Sequence, residues 1–255
     1  MKNFVILLSL LFATSTMSQT SGIIKYQESI KLEFEAPEGM DMSEILGNSI
    51  TTIKELTYDG MKSVYRDSDE NENDEIDMSN DEGTFQIKIK RDDTEDIYFT
   101  DLSNKQILHQ TGFMGKEFLI QEKPKKLNWK ITGDRIKYLG YVCQKATLIE
   151  NSNEEDEDGN PVEQDIVAWF TSELPVPVGP GHYSQLPGAV LMVSVNDGKR
   201  EIKATEVILS EDAVESITPP NKGKKVSRDE YEQIVAEKRA EMEKMSGGRH
   251  IMIRG

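Results

Sequence analysis

One cysteine, Cys143, occurs in 255 residues. An internal disulfide is excluded, so the fold must stand on its packed core. Histidine is nearly as scarce, with only His109, His182 and His250, and no two of them share the short spacing of a metal-ligating pair. No G-x-S-x-G elbow, H-E-x-x-H helix or phosphate-cradling glycine loop is present. Catalysis needs a nucleophile, a base or a metal in convergent geometry. With these parts missing, no enzymatic activity, catalytic residue, metal site or cofactor is expected. Basic residues are also short, 30 Lys and Arg against 46 Asp and Glu, for a net charge of −16. That charge repels polyanions, so neither nucleic acid nor an anionic membrane surface is an expected partner. Long apolar runs are absent too. Residues 4–13 form an apolar stretch too short to span a bilayer. Lys2 precedes it and Thr16-Met17-Ser18 follows, the order of a secretory signal cleaved near Ser18. The expectation is a periplasmic or secreted protein with no transmembrane segment.

Alternation dominates what remains. Ile24, Tyr26, Ile30, Leu32 and Phe34 share one parity, and Lys25, Gln27, Lys31 and Glu33 the other. Period-two patterning of this kind marks a half-buried strand. A hairpin is expected around Asp59-Gly60, in a type I′ turn. Further strands are expected at 85–91, 96–102, 105–110, 117–122, 128–132, 145–150, 165–171, 189–196 and 200–210, the last two joined at Asp197-Gly198. So many short strands separated by turn signals imply a mainly β fold, a curved antiparallel sheet or partly open barrel. The acidic stretch 67–82 reads as a solvated loop. Asp67, Asp69 and Asn71 alternate like calcium ligands, but Glu72 and Met78 occupy the EF-hand glycine and bidentate positions. Ser227 and Glu230 form a capping box, so an amphipathic helix should start at Arg228 and stop at Gly247-Gly248. The expected organisation is a signal peptide at 1–18, an antiparallel β domain at 19–218, and a linker, helix and basic tail at 219–255.

Residues 168–193 read AWFTSELPVPVGPGHYSQLPGAVLMV. Pro175, Pro177 and Pro180 fix φ and remove backbone donors, so the loop between two apolar strands is stiff. Three segments carry a family resemblance. They are Gly140-Tyr141-Val142-Cys143-Gln144-Lys145-Ala146, Ala168-Trp169-Phe170-Thr171, and Gly179-Pro180 followed by Leu186-Pro187-Gly188-Ala189-Val190-Leu191. In order and spacing they resemble the GLPGLI family of exported Gram-negative proteins. Gln185 stands where the name motif has its first glycine, and Ala189-Val190 where it has Leu-Ile. The resemblance implies a β-rich envelope protein and no assigned activity. Many members are encoded beside TonB-dependent outer-membrane receptors.

These readings converge on a non-enzymatic periplasmic binding or accessory protein. Its ligand would be lipid-like or a polypeptide, held on a concave sheet face. Trp129, Trp169 and Phe170 are the candidates for that face. Leu186, Pro187 and Gly188 are candidates for its rim, with His182 and Tyr183 at a pocket mouth. The alternatives are an interaction module for a TonB-dependent receptor and a low-affinity metal binder. The metal binder would use the acidic loops, or Met242, Met245, His250 and Met252 around a soft metal ion.

Overall fold

The structure, a computed structural model, describes residues 20–31, 49–71, 75–79, 86–90, 94–155, 161–210 and 217–246. The expected signal peptide and His250 and Met252 of the tail lie outside these residues.

Antiparallel pairing starts with β1 (Ser21–Lys31), β2 (Ser49–Asp59) and β3 (Lys62–Asp67). It continues through β6 (Ile97–Asp101), β7 (Gln106–Phe113) and β8 (Lys116–Glu122). A second meander runs through β9 (Lys130–Tyr138), β10 (Tyr141–Glu155), β11 (Pro161–Thr171), β12 (Ala189–Val195) and β13 (Arg200–Leu209). The two meanders join where β1 pairs with β13. Three residues, β14 (Lys224–Val226), add to β8 in parallel. The result is one open 12-stranded sheet in the order β14-β8-β7-β6-β3-β2-β1-β13-β12-β11-β10-β9. β4 (Glu75–Ser79) and β5 (Gln86–Lys90) form a separate hairpin. Part of the acidic stretch expected to be a loop is therefore strand, because Ile76 and Met78 alternate with its acids.

The connectivity forces curvature. β8 and β9 are consecutive in sequence but stand at opposite ends of the antiparallel strands. At the usual strand spacing a flat sheet would hold them roughly 48 Å apart. Only residues 123–129 join them, and those reach at most roughly 28 Å. The sheet must curl until its two edges approach.

The inner face of the curl carries the main core, with Ile24, Tyr26, Leu56, Tyr58, Ala146, Ile166, Phe170 and Ile202 buried in it. The proline-rich loop, residues 172–188, fills the curl. Leu174, Val176, Val178, Tyr183 and Leu186 are all buried there. It folds back on β12, with Ala189 N donating to Leu174 O and Val190 N to Val178 O, both at 3.0 Å. Tyr26 Oη donates to Val190 O at 2.6 Å, which bolts β1 to the loop's exit. Gly188 is a point of close backbone approach. A Cβ there would lie 2.1 Å from Thr171 O, so no other residue fits without moving backbone.

The chain beyond β13 works as a strap. Ile217 packs against Val64, Phe99, Leu108 and Leu119 on the outer face. β14 turns the edge at β8. α1 (Arg228–Ser246) then lies against the inner side of β8, where Tyr231 and Ile234 meet Phe118, Ile120 and Val226. The expected capping box forms: Ser227 N donates to Glu230 Oε2 at 2.7 Å, and Glu230 N to Ser227 Oγ at 3.2 Å. The stretch expected as a plain basic linker contains β14.

One turn differs from expectation. Asp59 pairs with Lys62, so the central residues are Gly60 and Met61. Only Gly60 has positive φ, 56°, which is the type II′ pattern rather than I′. The I′ pattern occurs at β9–β10 instead, where Leu139 and Gly140 have φ of 48° and 87°. Leucine is strained in that conformation and asparagine tolerates it. Leu139→Asn is expected to raise stability by about 0.5–1 kcal/mol, read as a rise of roughly 1–4 °C in the midpoint of a thermal melt.

Candidate functional site

A cleft of about 510 Å³ opens on the inner side of the sheet, between the filled core and the 123–129 connector. Its volume is that of a small-ligand site. β1, β2, β3 and β6–β8 supply one wall. The ends of β10 and β11, with Gly181, His182, Ser184 and Gln185 of the proline-rich loop, supply the other. Arg228 and Glu232 reach in from α1.

Charge lines this cleft, arranged in pairs. On the floor Arg200 Nη2 and Nε both lie 2.8 Å from Glu28 Oε1, and Tyr65 Oη donates to Glu28 Oε2 at 3.2 Å. Glu28 is buried. Burial opposes the charge on Arg200, but the neighbouring Glu28 carboxylate outweighs it and raises the pKa of Arg200. Burial likewise pushes the Tyr65 hydroxyl well up, so it stays a donor.

A second network sits nearer the mouth. His109 Nε2 lies 2.7 Å from Asp96 Oδ1, and Arg228 Nη2 lies 3.4 Å from His109 Nδ1. Arg228 also meets Glu122 Oε1 at 2.7 Å. Lys54 Nζ reaches Asp67 at 2.9 Å and Asp96 at 3.6 Å. Both ring nitrogens of His109 are thus engaged. Burial pushes the Asp96 carboxyl up, but the His109 hydrogen bond and charge, with Lys54, win and bring it down to about 2. On the opposite wall His182 Nε2 meets Glu150 Oε2 at 3.2 Å while its ring stacks on Tyr183 at 3.9 Å. Neither histidine bonds a Ser, Thr or Cys side chain among the described residues. The Cys143 thiol is fully buried, and burial pushes it up to about 11. It is a core residue whose burial favours the neutral thiol over the thiolate.

Of the expected binding residues, only His182 lines the cleft. Phe170, Tyr183 and Leu186 are buried in the closed core. Trp169, between Ala168 and Phe170 in β11, is half-buried and packs against the same core, beside a register irregularity with β12. There it stands between its cross-strand partners Lys145 and Met192. Trp129 is half-buried against the core, with Nε1 donating to Ser184 O at 2.9 Å. Pro187 is exposed and Gly188 is pinned to Thr171. The apolar face expected to hold a ligand is occupied by the chain's own loop. Among the described residues no group of acids, histidines or cysteines could hold a metal ion. Asn71 is spent on the backbone of Ile53 and Ser68, and Asp67 on Lys54.

Gln185 carries a role not read from the sequence. Its φ is 70°, the conformation a glycine takes freely. Its side chain donates through Nε2 to Lys125 O at 2.8 Å and accepts from Leu127 N at 3.5 Å. The connector that closes the curl is therefore clamped to the proline-rich loop. The departure from the family's glycine was the visible signal.

A family model described as a protein of unknown function (Porph_ging) matches residues 150–192, which include the proline-rich loop. The match bears out the GLPGLI resemblance. No curated protein matches the chain. Among solved structures the chain is similar to PNGF-II in its P21 crystal form, with 17% identity over 86% of this chain and a TM-score of 0.45. In the C2 form the values are 16%, 85% and 0.42. LprF from Mycobacterium bovis shows 9% identity, covers 81% of this chain and 91% of its own, and has a TM-score of 0.30. The chain spans about a third of the length of the PNGF-II chains, 34% and 33%.

The buried pair on the cleft floor gives a stability test. Arg200→Met leaves the Glu28 charge uncompensated and is expected to cost about 3–5 kcal/mol. Glu28→Gln combined with Arg200→Met is expected to recover most of that loss in urea denaturation. Asp96 gives a pH test. Its folded pKa is depressed, so its contribution is present above the ordinary value of about 3.9 and vanishes as pH falls through about 2. Thermal melts of Asp96→Asn and the parent are expected to differ at pH 7 and to converge toward pH 2.

Proposed function

We propose that this chain, whose residues 150–192 support the GLPGLI resemblance, is a non-enzymatic binding or accessory protein of the bacterial cell envelope. Its ligand is a polar, polypeptide-like segment bound in the cleft. The carrying observation is the division of the inner face. Its apolar part is filled by residues 172–188, while the remaining space is lined by charged pairs and by the amides of Asn151, Gln164 and Gln185. The cleft sets Leu102, Ile107 and Leu127 among charged groups, so a lipid chain would desolvate ion pairs without replacing their partners, whereas peptide groups find donors and acceptors there. The signal-like N-terminus supports a periplasmic or secreted location. No helix among the described residues is long and apolar enough to cross a membrane.

The interaction-module reading draws on β9, which ends the sheet and exposes Ile131. Lys130, Asp134, Arg135 and Lys137 interrupt that edge with charge, as edges protected from pairing are. The cleft is therefore preferred.

Native mass spectrometry of the exported full-length protein tests the reading. A reproducible extra mass of peptide composition is expected, and it should be lost in Asn151→Trp, which fills the cleft from an exposed wall position. A bare mass, or an adduct indifferent to that substitution, would remove the reading.

A further inference from the structure

Lys123 and Lys125 stand on the connector that spans the gap in the sheet, at the mouth of the cleft. Elsewhere in the cleft most charged groups are paired, Glu232 of α1 being an acid without an ion pair among the described residues. Glu28 meets Arg200, Asp96 meets His109 and Lys54, Glu122 meets Arg228, and Glu150 meets His182. Lys123 and Lys125 form no ion pair among the described residues. In a chain of net charge −16, two unmatched ammonium groups at a cleft mouth are a local reversal of sign.

Their placement is also stiff. Pro124 separates them and fixes φ between them. Gln185 holds the Lys125 carbonyl and the Leu127 N–H from the opposite wall. Trp129, two residues on from Leu127, is tied to Ser184 O. Gln185 does this from a backbone conformation with φ of 70°, where a side chain is strained and glycine is not. Strain kept beside a cleft, with a side chain that organises the cleft's rim, is the signature of a positioned recognition surface.

We propose that the Lys123-Pro124-Lys125 rim selects the ligand by its carboxylates. The cleft takes an acidic peptide segment, and Gln185 is the residue that positions the rim. The proposal rests on the cleft being the ligand site and adds the sign of the ligand's charge. The unmatched cations receive side-chain carboxylates of the peptide. The amides of Asn151 and Gln164 on the far wall receive its backbone.

The test uses the full chain and a fluorescein-labelled hexaglutamate peptide, followed by anisotropy at low and physiological salt. Saturable, salt-weakened binding is expected. The double substitution Lys123→Gln with Lys125→Gln is expected to weaken it about tenfold. Gln185→Gly is expected to weaken binding several-fold while the melting midpoint stays within about 3 °C, since relief of strain offsets the lost hydrogen bonds. A merely structural Gln185 would move the midpoint and leave affinity unchanged. Absence of binding overturns the proposal, as does equal binding by the double variant. Competition by inorganic phosphate, or by phosphatidylglycerol vesicles, as strong as that by unlabelled hexaglutamate overturns it as well, because the rim would then read phosphate. A native adduct retained in the lysine double variant leaves the cleft reading standing and overturns only the preference for acid.

Discussion

β8 and β9 follow one another in sequence yet close opposite ends of the antiparallel order, and the 123–129 connector must bridge them. Because the connector is short, the sheet curls. Because it curls, its inner face becomes an enclosed volume that strands alone do not fill. The proline-rich loop fills most of it, entering from β11 and leaving into β12. That loop is stiff by composition and is seated where Gly188 meets the Thr171 carbonyl. What it leaves unfilled, beneath the connector, is the cleft. Shape, core and site are consequences of one short link.

A boundary between apolar and polar space runs through the same volume. On one side lie Tyr26, Leu56 and the loop's valines. On the other lie the Glu28–Arg200 pair and the Asp96–His109–Arg228–Glu122 network. Tyr65 spans the boundary, with its ring edge-on to Tyr26 and its hydroxyl on Glu28. Removing the pair's charges from water is costly, and the mutual geometry must offset that cost. The network also ties the strap to the sheet, since Arg228 belongs to α1 while His109 and Glu122 belong to β7 and β8.

Most strands were legible in the sequence because alternation survives on a sheet with one filled face, and the helix start was legible in its capping box. The shared parity of Ile24 and Tyr26 and the turn at Asp197-Gly198 located real elements. The β14 strand was not legible, because three residues carry no period and their partner is distant. The candidate site was read least well. Trp169 and Phe170 were grouped by chemistry, but both pack on the filled core, Phe170 buried outright and Trp169 half-buried. Phe170, Tyr183 and Leu186 looked like a ligand surface because nothing in a linear pattern says that the loop beside them folds back as the filling. The cleft itself comes from residues in nine strands, one helix and four loop segments, and no local motif brings those together. His182, expected at a pocket mouth, is the one expected residue that lines it.

The seam between β1 and β13 sets an order of events for this chain. Each meander pairs neighbours in sequence and forms from local contacts, whereas the seam joins Gly22 to Leu209. Closing so large a loop costs entropy before any contact returns it. A polypeptide released N-terminus first therefore carries β1 with one side unsatisfied until residues 200–209 have emerged. The molecule is built to finish folding only after nearly all of it has been released.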